Sequence, residues 1–90
     1  MVNVKFFGIP KCHLNSIDIP VGSEVVFDVV LEEASKILGL NLKEIMVADR
    51  ALKKNIFILV NGKRLDEQGG LTAKITPGDK ITISKLLLGG

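Results

Sequence analysis

The chain closes with Gly89-Gly90, and the carboxylate of this last glycine is the group whose position most clearly suggests chemistry. A carboxylate is a poor electrophile because its charge is delocalised, so it reacts with a nucleophile only after conversion to a mixed anhydride. Glycine suits such a reaction because it has no Cβ, adopts backbone angles closed to other residues and leaves its carbonyl carbon open to attack. We therefore interpret Gly90, with Gly89 beside it, as a candidate acyl group.

The alternative explanation is a chance pair of glycines. The chain contains 9 glycines in 90 residues, and at that frequency two consecutive terminal glycines arise by chance in about 1% of chains. Chance is therefore the weaker explanation.

Cys12-His13 is the other pair that could do chemistry, as a nucleophile and its base. Adjacent loop residues rarely point at each other, and no third group is placed to orient the histidine. Cys12 is the only cysteine and His13 the only histidine, which excludes an internal disulfide, a Cys/His metal cluster and an iron–sulfur centre. The sequence predicts neither a metal site nor a bound cofactor.

The composition is typical of one small folded domain. The residues are 47% hydrophobic and 24% charged, and a chain of this length builds one modest core with little room for an enclosed catalytic pocket. A self-contained enzyme is therefore disfavoured.

Nucleic acid and membranes are disfavoured as partners. The net charge is only +2, the pairs Lys53-Lys54 and Lys63-Arg64 are typical of a solvated face, and no Tyr or Trp is present to stack on bases. No apolar run reaches the ~20 residues that span a bilayer, and no signal peptide precedes the first predicted strand. We expect a soluble cytoplasmic protein.

Alternation of apolar and polar residues predicts two strands near the N-terminus. Residues 1–7 alternate, and a short second strand follows at residues 17–19 before Pro20. The two runs can pair as an antiparallel hairpin around a long loop, residues 8–16.

A helix is predicted next, although the valines between positions 25 and 30 locally favour a strand. Ser23 is a candidate N-cap, Glu24 and Asp28 place negative charge in the first turn, and Gly39 is a candidate left-handed stop after Lys36. The predicted apolar face consists of Phe27, Val30, Leu31, Ala34, Ile37 and Leu38. Beyond it, Asn41 and Glu44 are spaced as a capping box for a short helical segment, and residues 49–55 are predicted to be a polar connection.

A second hairpin and a final strand are predicted in the C-terminal half. The apolar run at residues 56–60 ends at Asn61-Gly62, a strong hairpin signal because both turn positions need positive φ. A short return strand follows at residues 63–65. A turn at residues 77–79 then precedes an alternating last strand at residues 80–84.

Two hairpins around one helix predict an α+β domain with the β-grasp, or ubiquitin-like, arrangement. We expect a mixed sheet of four to five strands with one main helix packed across one face, and the first and last strands parallel in its centre. The domain is predicted to span residues 1–85, and residues 86–90 to form a flexible tail.

In this arrangement the chain resembles the ubiquitin-like sulfur carriers of the MoaD/ThiS type, in particular the small subunit of molybdopterin synthase. The resemblance covers nearly the whole chain. It rests on the order and spacing of Val4-Lys5-Phe6-Phe7, Pro20-Val21-Gly22-Ser23, Leu59-Val60-Asn61-Gly62-Lys63, Ile75-Thr76-Pro77-Gly78-Asp79-Lys80-Ile81 and Gly89-Gly90.

The resemblance implies a role for the terminal glycine. In this family an E1-like enzyme uses ATP to adenylate the terminal carboxylate, which then accepts sulfur as a thiocarboxylate. It further implies two protein partners, an E1-like adenylating enzyme and a MoaE-like large subunit of molybdopterin synthase. The chain would be a sulfur-donating subunit, or a substrate of the E1-like enzyme.

A partner-binding surface is predicted around the tail. Leu86, Leu87 and Leu88 lie beyond the last strand, where little core remains to cover them, and an exposed apolar run favours an interaction site. By strand alternation, Phe7, Phe57 and Leu59 face away from the helix, where residues 49–55 could instead cover Phe57 and Leu59.

Two other functions stay open. One is a covalent modifier, with Gly90 joined to target-protein lysines. It is favoured by the three leucines, which resemble the end of ubiquitin and replace the Pro-Pro pair usual in molybdopterin synthase small subunits. The other is a β-grasp interaction domain without chemistry at its end.

Overall fold

A computed structural model describes residues 1–85 of the chain. Residues 86–90, which the sequence predicts to be the tail, lie outside the described part. The elements in chain order are β1 (Val2–Phe7), β2 (Ser16–Ile19), β3 (Val25–Val26), α1 (Phe27–Leu38), α2 (Leu42–Met46), β4 (Val47–Ala48), β5 (Ala51–Leu52), β6 (Ile56–Val60), β7 (Lys63–Arg64), β8 (Lys74–Ile75) and β9 (Lys80–Lys85). Two 3-10 turns, Asp66–Gln68 and Gly70–Thr72, lie between β7 and β8.

The main sheet has five strands in the order β2-β1-β9-β6-β7. β1 and β9 run parallel in its centre, while the pairs β1–β2, β6–β9 and β6–β7 are antiparallel. This confirms the predicted β-grasp arrangement with one main helix. Two further pairs, β3–β8 and β4–β5, form small ladders outside the main sheet.

The core lies between α1 and one face of the sheet. The alternation predicted for the strands is confirmed, because every second residue of the three central strands is buried against the helix: Val4, Phe6, Ile58, Val60, Ile81 and Ile83. From the helix side, Phe27, Val30, Leu31, Ala34 and Leu38 are buried against them. Burying side chains of this size contributes about 1.5–3 kcal/mol each, so this interface holds the fold together.

The predicted start of the helix is wrong. Val25 and Val26 form β3 and pair with β8, and the Phe27 amide donates to the Ala73 carbonyl at 2.8 Å. The helix therefore begins at Phe27, and Val26 occupies the N-cap position without a side-chain cap. Ser23 is not the cap because β8 offers the two valines a strand partner, which their β-branched side chains favour.

The end of α1 agrees with prediction except at one residue. Gly39 has φ 69° and its amide donates to the Ser35 carbonyl at 2.9 Å, so it is the left-handed stop. Ile37, predicted for the buried face, is 47% exposed. It lies at the margin of the apolar stripe, where the sheet no longer covers the helix.

The short helix α2 is joined to α1 by polar contacts. The Asn41 side chain accepts from the Glu44 amide at 3.2 Å, as the capping pattern predicts. The Ser35 hydroxyl accepts from the Leu42 amide at 3.1 Å. Lys43 contacts Asp28 and Glu32 of α1 at 2.9 and 3.0 Å, and the hydrogen bonds to these carboxylates raise its pKa.

The connection predicted at residues 49–55 is in part a hairpin. β4 and β5 pair around a turn in which Asp49 and Arg50 both have positive φ, 51° and 65°. This corrects the prediction. The turn type usually carries glycine, and its absence here removed the signal that identifies the hairpin at Asn61-Gly62.

A polar network ties the last turn to the second hairpin. The Asp79 carboxylate accepts from the Thr76 amide at 2.8 Å and from the Asn61 side-chain amide at 2.9 Å. The Asn61 side-chain oxygen accepts in turn from the Lys80 amide at 2.9 Å. Burial opposes ionisation of Asp79, but the hydrogen bonds from Thr76 and Asn61 outweigh it and hold the pKa of this carboxyl below its usual value.

The lowered pKa predicts a pH-dependent contribution of Asp79 to stability. A carboxyl with a lower pKa in the folded state stabilises the fold above its ordinary pKa of 3.8, and the contribution is lost as the pH falls through the folded pKa. We expect Asp79→Asn to lower the free energy of unfolding at neutral pH by about 1 kcal/mol, a small value because the carboxylate is half-exposed. The deficit should shrink below about pH 4.

Urea unfolding from neutral pH down to about pH 3 measures this difference. Glu67→Gln, at an exposed carboxylate, is the matched control and should leave stability nearly unchanged at every pH. If Asp79→Asn lowered the free energy of unfolding by the same amount at every pH, the stabilising role of the Asp79 charge would be contradicted.

Candidate functional site

The central strand β9 carries the chain to one end of the sheet. Its residue Ser84 lies between Phe7 of β1 and Phe57 of β6, and Lys85, the last described residue, pairs with Ile56. The predicted site residues Leu86, Leu87, Leu88, Gly89 and Gly90 lie outside the described residues, and their roles stay predictions.

A glycine packs against the end of β9. Gly8 follows β1 with φ +72°, and a Cβ at this position would lie 3.2 Å from the Lys85 carbonyl oxygen. Such a contact is tighter than side chains normally make, and the positive φ is itself unfavourable for residues with a Cβ. Gly8 therefore permits the backbone that follows β1 to lie close to Lys85 at the end of β9.

The three predicted docking residues share the sheet face opposite α1. Phe7 is 57% exposed, whereas Phe57 and Leu59 are half-buried. Leu52, Lys53 and Lys54 flank Phe57, in partial agreement with the alternative that residues 49–55 cover this face. The geometry brings Phe7 and Phe57 to either side of Ser84, next to the end of β9. Their part in partner binding stays a prediction.

Basic side chains lie on the same sheet face as these apolar residues, together with the acidic side chain of Asp18. The Arg64 guanidinium lies over the Phe57 ring, 5.6 Å from its centroid, and pairs with Asp66 at 3.0 Å. Lys5 and Lys80 are exposed at alternating positions of the same face as Phe7. A surface of aromatic and basic groups complements a partner surface that is apolar with acidic groups.

The Cys12-His13 pair shows no catalytic geometry. The Cys12 thiol contacts the Leu14 carbonyl at 3.3 Å, and within residues 1–85 no hydrogen bond joins it to His13. In this same part of the chain, no group of three or more His, Cys, Asp or Glu side chains could hold a metal ion. Nor does any helix described here have the length and apolarity to cross a membrane.

Two residues of this region escaped the sequence analysis. Arg64 was interpreted as part of a solvated basic pair, and its position over Phe57 follows only from the pairing of Leu59 with Arg64. Gly8 is the first residue of the loop predicted at residues 8–16, and the sequence assigns it no role of its own. Its place directly after an alternating strand was the available signal, but the neighbour that requires it, Lys85, is distant in the sequence.

Comparison with known proteins confirms the fold. No protein-family model matches the chain, and no curated protein matches it by sequence. Solved structures do match. The matched chain of the Amycolatopsis orientalis BexX/CysO complex is 24% identical over 100% of both chains, with a TM-score of 0.82.

Two other solved structures agree with this match. Mycobacterium tuberculosis CysO is 21% identical, with 97% of this chain and 100% of that chain covered and a TM-score of 0.78. SAMP1 from Haloferax volcanii is 16% identical, with 99% and 98% covered and a TM-score of 0.77. The described residues 1–85 therefore have the ubiquitin-like β-grasp fold, and the predicted resemblance is confirmed at the level of the fold.

Substitution of Gly8 tests its close approach to Lys85 at the end of β9. We expect Gly8→Ala to lower the free energy of unfolding by about 1–2 kcal/mol, because the new Cβ adds backbone strain at positive φ and crowds the Lys85 carbonyl. Urea unfolding measures the change.

Gly22→Ala is the matched control. A Cβ at Gly22 has no neighbour within 4 Å and its φ lies outside the left-handed region, so the change should stay within about 0.5 kcal/mol. Equal stabilities of the two variants would contradict the proposed contact between Gly8 and Lys85.

Proposed function

We propose that this protein is a ubiquitin-like sulfur carrier whose Gly90 carboxylate is activated by a separate adenylating enzyme. The observation that carries this proposal is the path of the chain. The last strand lies in the centre of a β-grasp sheet, ends beside an exposed aromatic and basic face, and is followed five residues later by Gly90.

The proposed chemistry needs only a carboxyl group from this chain. The Gly90 carboxylate attacks the α-phosphorus of ATP and displaces pyrophosphate, which gives an acyl adenylate. A hydrosulfide nucleophile then attacks the carbonyl carbon and displaces AMP, which leaves a thiocarboxylate. ATP is bound by the activating enzyme, and this chain holds no cofactor of its own.

The described residues support a reaction in which this chain supplies the carboxylate and a separate enzyme supplies the catalytic groups. The nucleophile candidate Cys12 is engaged with a backbone carbonyl, and the exposed side chain of Phe7 is available to a partner. An E1-like enzyme that grips Phe7, Phe57 and Leu59 would hold the domain while the residues after Lys85 reach its nucleotide. The aromatic side chains supply contact area at low entropic cost, and Lys5 and Arg64 would orient the encounter.

The finer proposal is that the chain is the small subunit of molybdopterin synthase. It rests on the sequence resemblance described above, and it implies a MoaE-like large subunit that accepts the thiocarboxylate. One matched structure is a complex of CysO with BexX, which supports a chain that acts while bound to another protein.

A second candidate is a covalent modifier, in which a lysine amine attacks the acyl adenylate and forms an isopeptide bond with Gly90. Two observations favour it. The run Leu86-Leu87-Leu88 resembles the end of ubiquitin, and a solved structure with the same fold is named small archaeal modifier protein 1.

Intact mass of the protein purified from its own cells tests the proposal. A carrier should show a species heavier by one oxygen-to-sulfur exchange at its C-terminus, and deletion of Gly90 should abolish it. Gly22→Ala, far from the tail, should leave it unchanged. A modifier should instead give heavier conjugates that the same deletion removes.

Activation is tested separately with the organism's own E1-like enzyme. Carrier-dependent exchange of pyrophosphate into ATP should occur with the full chain and cease after deletion of Gly90. A chain that shows no exchange, no sulfur-bearing species and no conjugates would be a non-catalytic interaction domain, and the proposal would be wrong.

The docking face is tested by two substitutions of exposed apolar side chains. Phe7→Ala should raise the KM for the carrier in the exchange reaction about tenfold, the effect of removing an aromatic anchor from an interface, without changing kcat. Ile37→Ala, at a side chain 47% exposed on the helix side, should change KM by less than about twofold. A larger increase in KM for Ile37→Ala than for Phe7→Ala would instead place the interface on the helix side.

A further inference from the structure

A groove runs along one edge of β6 and belongs to no step of the proposed chemistry. It has a volume of about 510 Å³ and lies between the segment that enters β6 and the one that leaves β7. Its walls include Lys53, Lys54, Phe57, Ile58, Arg64 and Asp66.

The backbone of β6 is incompletely paired at this groove. β7 pairs with Leu59 and Val60, and within residues 1–85 no strand lies beside the first part of β6 on that side. In an antiparallel pair the amide and carbonyl of one residue point to the same side. The Ile58 carbonyl accepts from the Leu65 amide at 2.9 Å, and the Ile56 amide donates to the Lys53 carbonyl at 3.0 Å. The Ile58 amide and the Ile56 carbonyl therefore point into this edge as well.

The residue that would pair with the Ile58 amide has turned away from it. Leu65 adopts helical angles, φ −64° and ψ −41°. Its carbonyl instead accepts from the amides of Gln68 and Gly70, at 2.8 and 3.0 Å. The edge thus presents one donor, the Ile58 amide, and one acceptor, the Ile56 carbonyl, two residues apart. One residue of an extended segment running parallel to β6 can satisfy both groups.

The groove also carries an excess of positive charge. Asp66 is paired with Arg64 at 3.0 Å, while the Lys53 ammonium contacts only a neutral acceptor, the Glu44 carbonyl at 3.5 Å, among its hydrogen bonds in the described residues. Lys54 is exposed on the same wall. Two uncompensated cations favour a ligand with carboxylates, which accept charge-assisted hydrogen bonds.

We propose that the β6 edge binds an extended acidic peptide segment of a partner protein. One of its residues donates its amide to the Ile56 carbonyl and accepts from the Ile58 amide, and neighbouring carboxylates contact Lys53 and Lys54. Main-chain pairing supplies affinity, and the basic walls supply specificity. A free phosphate fits less well, because its anionic oxygens would face the lone pairs of the Ile56 carbonyl and it cannot pair with the strand as a peptide backbone does. This site does not depend on the chemistry of Gly90.

The test follows the backbone amides of the full chain by NMR. The probe is a blocked hexapeptide of alternating glutamate and valine, with three controls: its lysine–valine counterpart, the same peptide N-methylated along its backbone, and inorganic phosphate. In the unbound protein the Ile58 amide should exchange with solvent faster than the amides of Phe57 and Leu59, which point to β9. The acidic peptide should slow this exchange about tenfold or more, and none of the controls should.

Charge reversal on the groove wall tests the same site. Lys54→Glu should weaken binding of the acidic peptide about tenfold. Lys11→Glu, at an exposed lysine of the loop after β1, is the matched control and should change binding by less than about twofold. Unfolding curves of both variants establish that each remains folded.

Several results would overturn the proposal. One is an Ile58 amide that, before any peptide is added, exchanges as slowly as the Leu59 amide. Another is slowing of this exchange by the lysine–valine peptide, the N-methylated peptide or phosphate to the same extent as by the acidic peptide. A shift of the Ile58 amide on deletion of Gly89-Gly90 alone would make the chain's own C-terminus the occupant. Because peptide binding needs no activating enzyme, these results are separable from failure of the carrier proposal.

Discussion

The parallel pairing of β1 with β9 is the interaction on which the rest of the structure depends. It runs from Asn3 beside Lys80 to Phe7 beside Ser84, and joins the first strand of the domain to the last. Without β9, the β1–β2 and β6–β7 hairpins would have no common partner, and α1 would lie across two separate ribbons. Because these contacts join residues far apart in sequence, forming them costs loop-closure entropy over nearly the whole chain. Burial of the core must offset this cost.

This central pairing also makes the two ends of the sheet different. At one end, the Asp79 carboxylate and the Asn61 side chain close the turns around the start of β9 with short hydrogen bonds. At the other end, Gly8 lets β1 lie close to Lys85, and Phe7 remains largely exposed. A side-chain hydrogen-bond network thus closes one end, while the other end leaves a large aromatic side chain exposed.

Short sequence patterns correctly predicted the features of the fold that depend on a few adjacent residues. Strand alternation and the Asn61-Gly62 turn predicted the sheet and its buried face, because side-chain period and positive φ are properties of a few adjacent residues. The start of α1 was mispredicted because Val25 and Val26 meet β8, a partner no short window contains. The β6 groove was invisible for a similar reason, since it exists only because the Leu65 carbonyl turns toward Gln68 and Gly70.

The sheet face and the β6 groove share the side chains of Phe57 and Arg64, so ligands bound at the two surfaces would influence each other. Arg64 lies over the Phe57 ring on the outer face, and its ion pair with Asp66 belongs to the groove. A carboxylate bound in the groove would compete with Asp66 for this guanidinium, and a partner bound on the sheet face would cover the ring beneath it. If a groove ligand changes the affinity for a sheet-face partner, that partner must change the affinity for the groove ligand by the same factor. The position of one arginine therefore decides whether the two surfaces act independently.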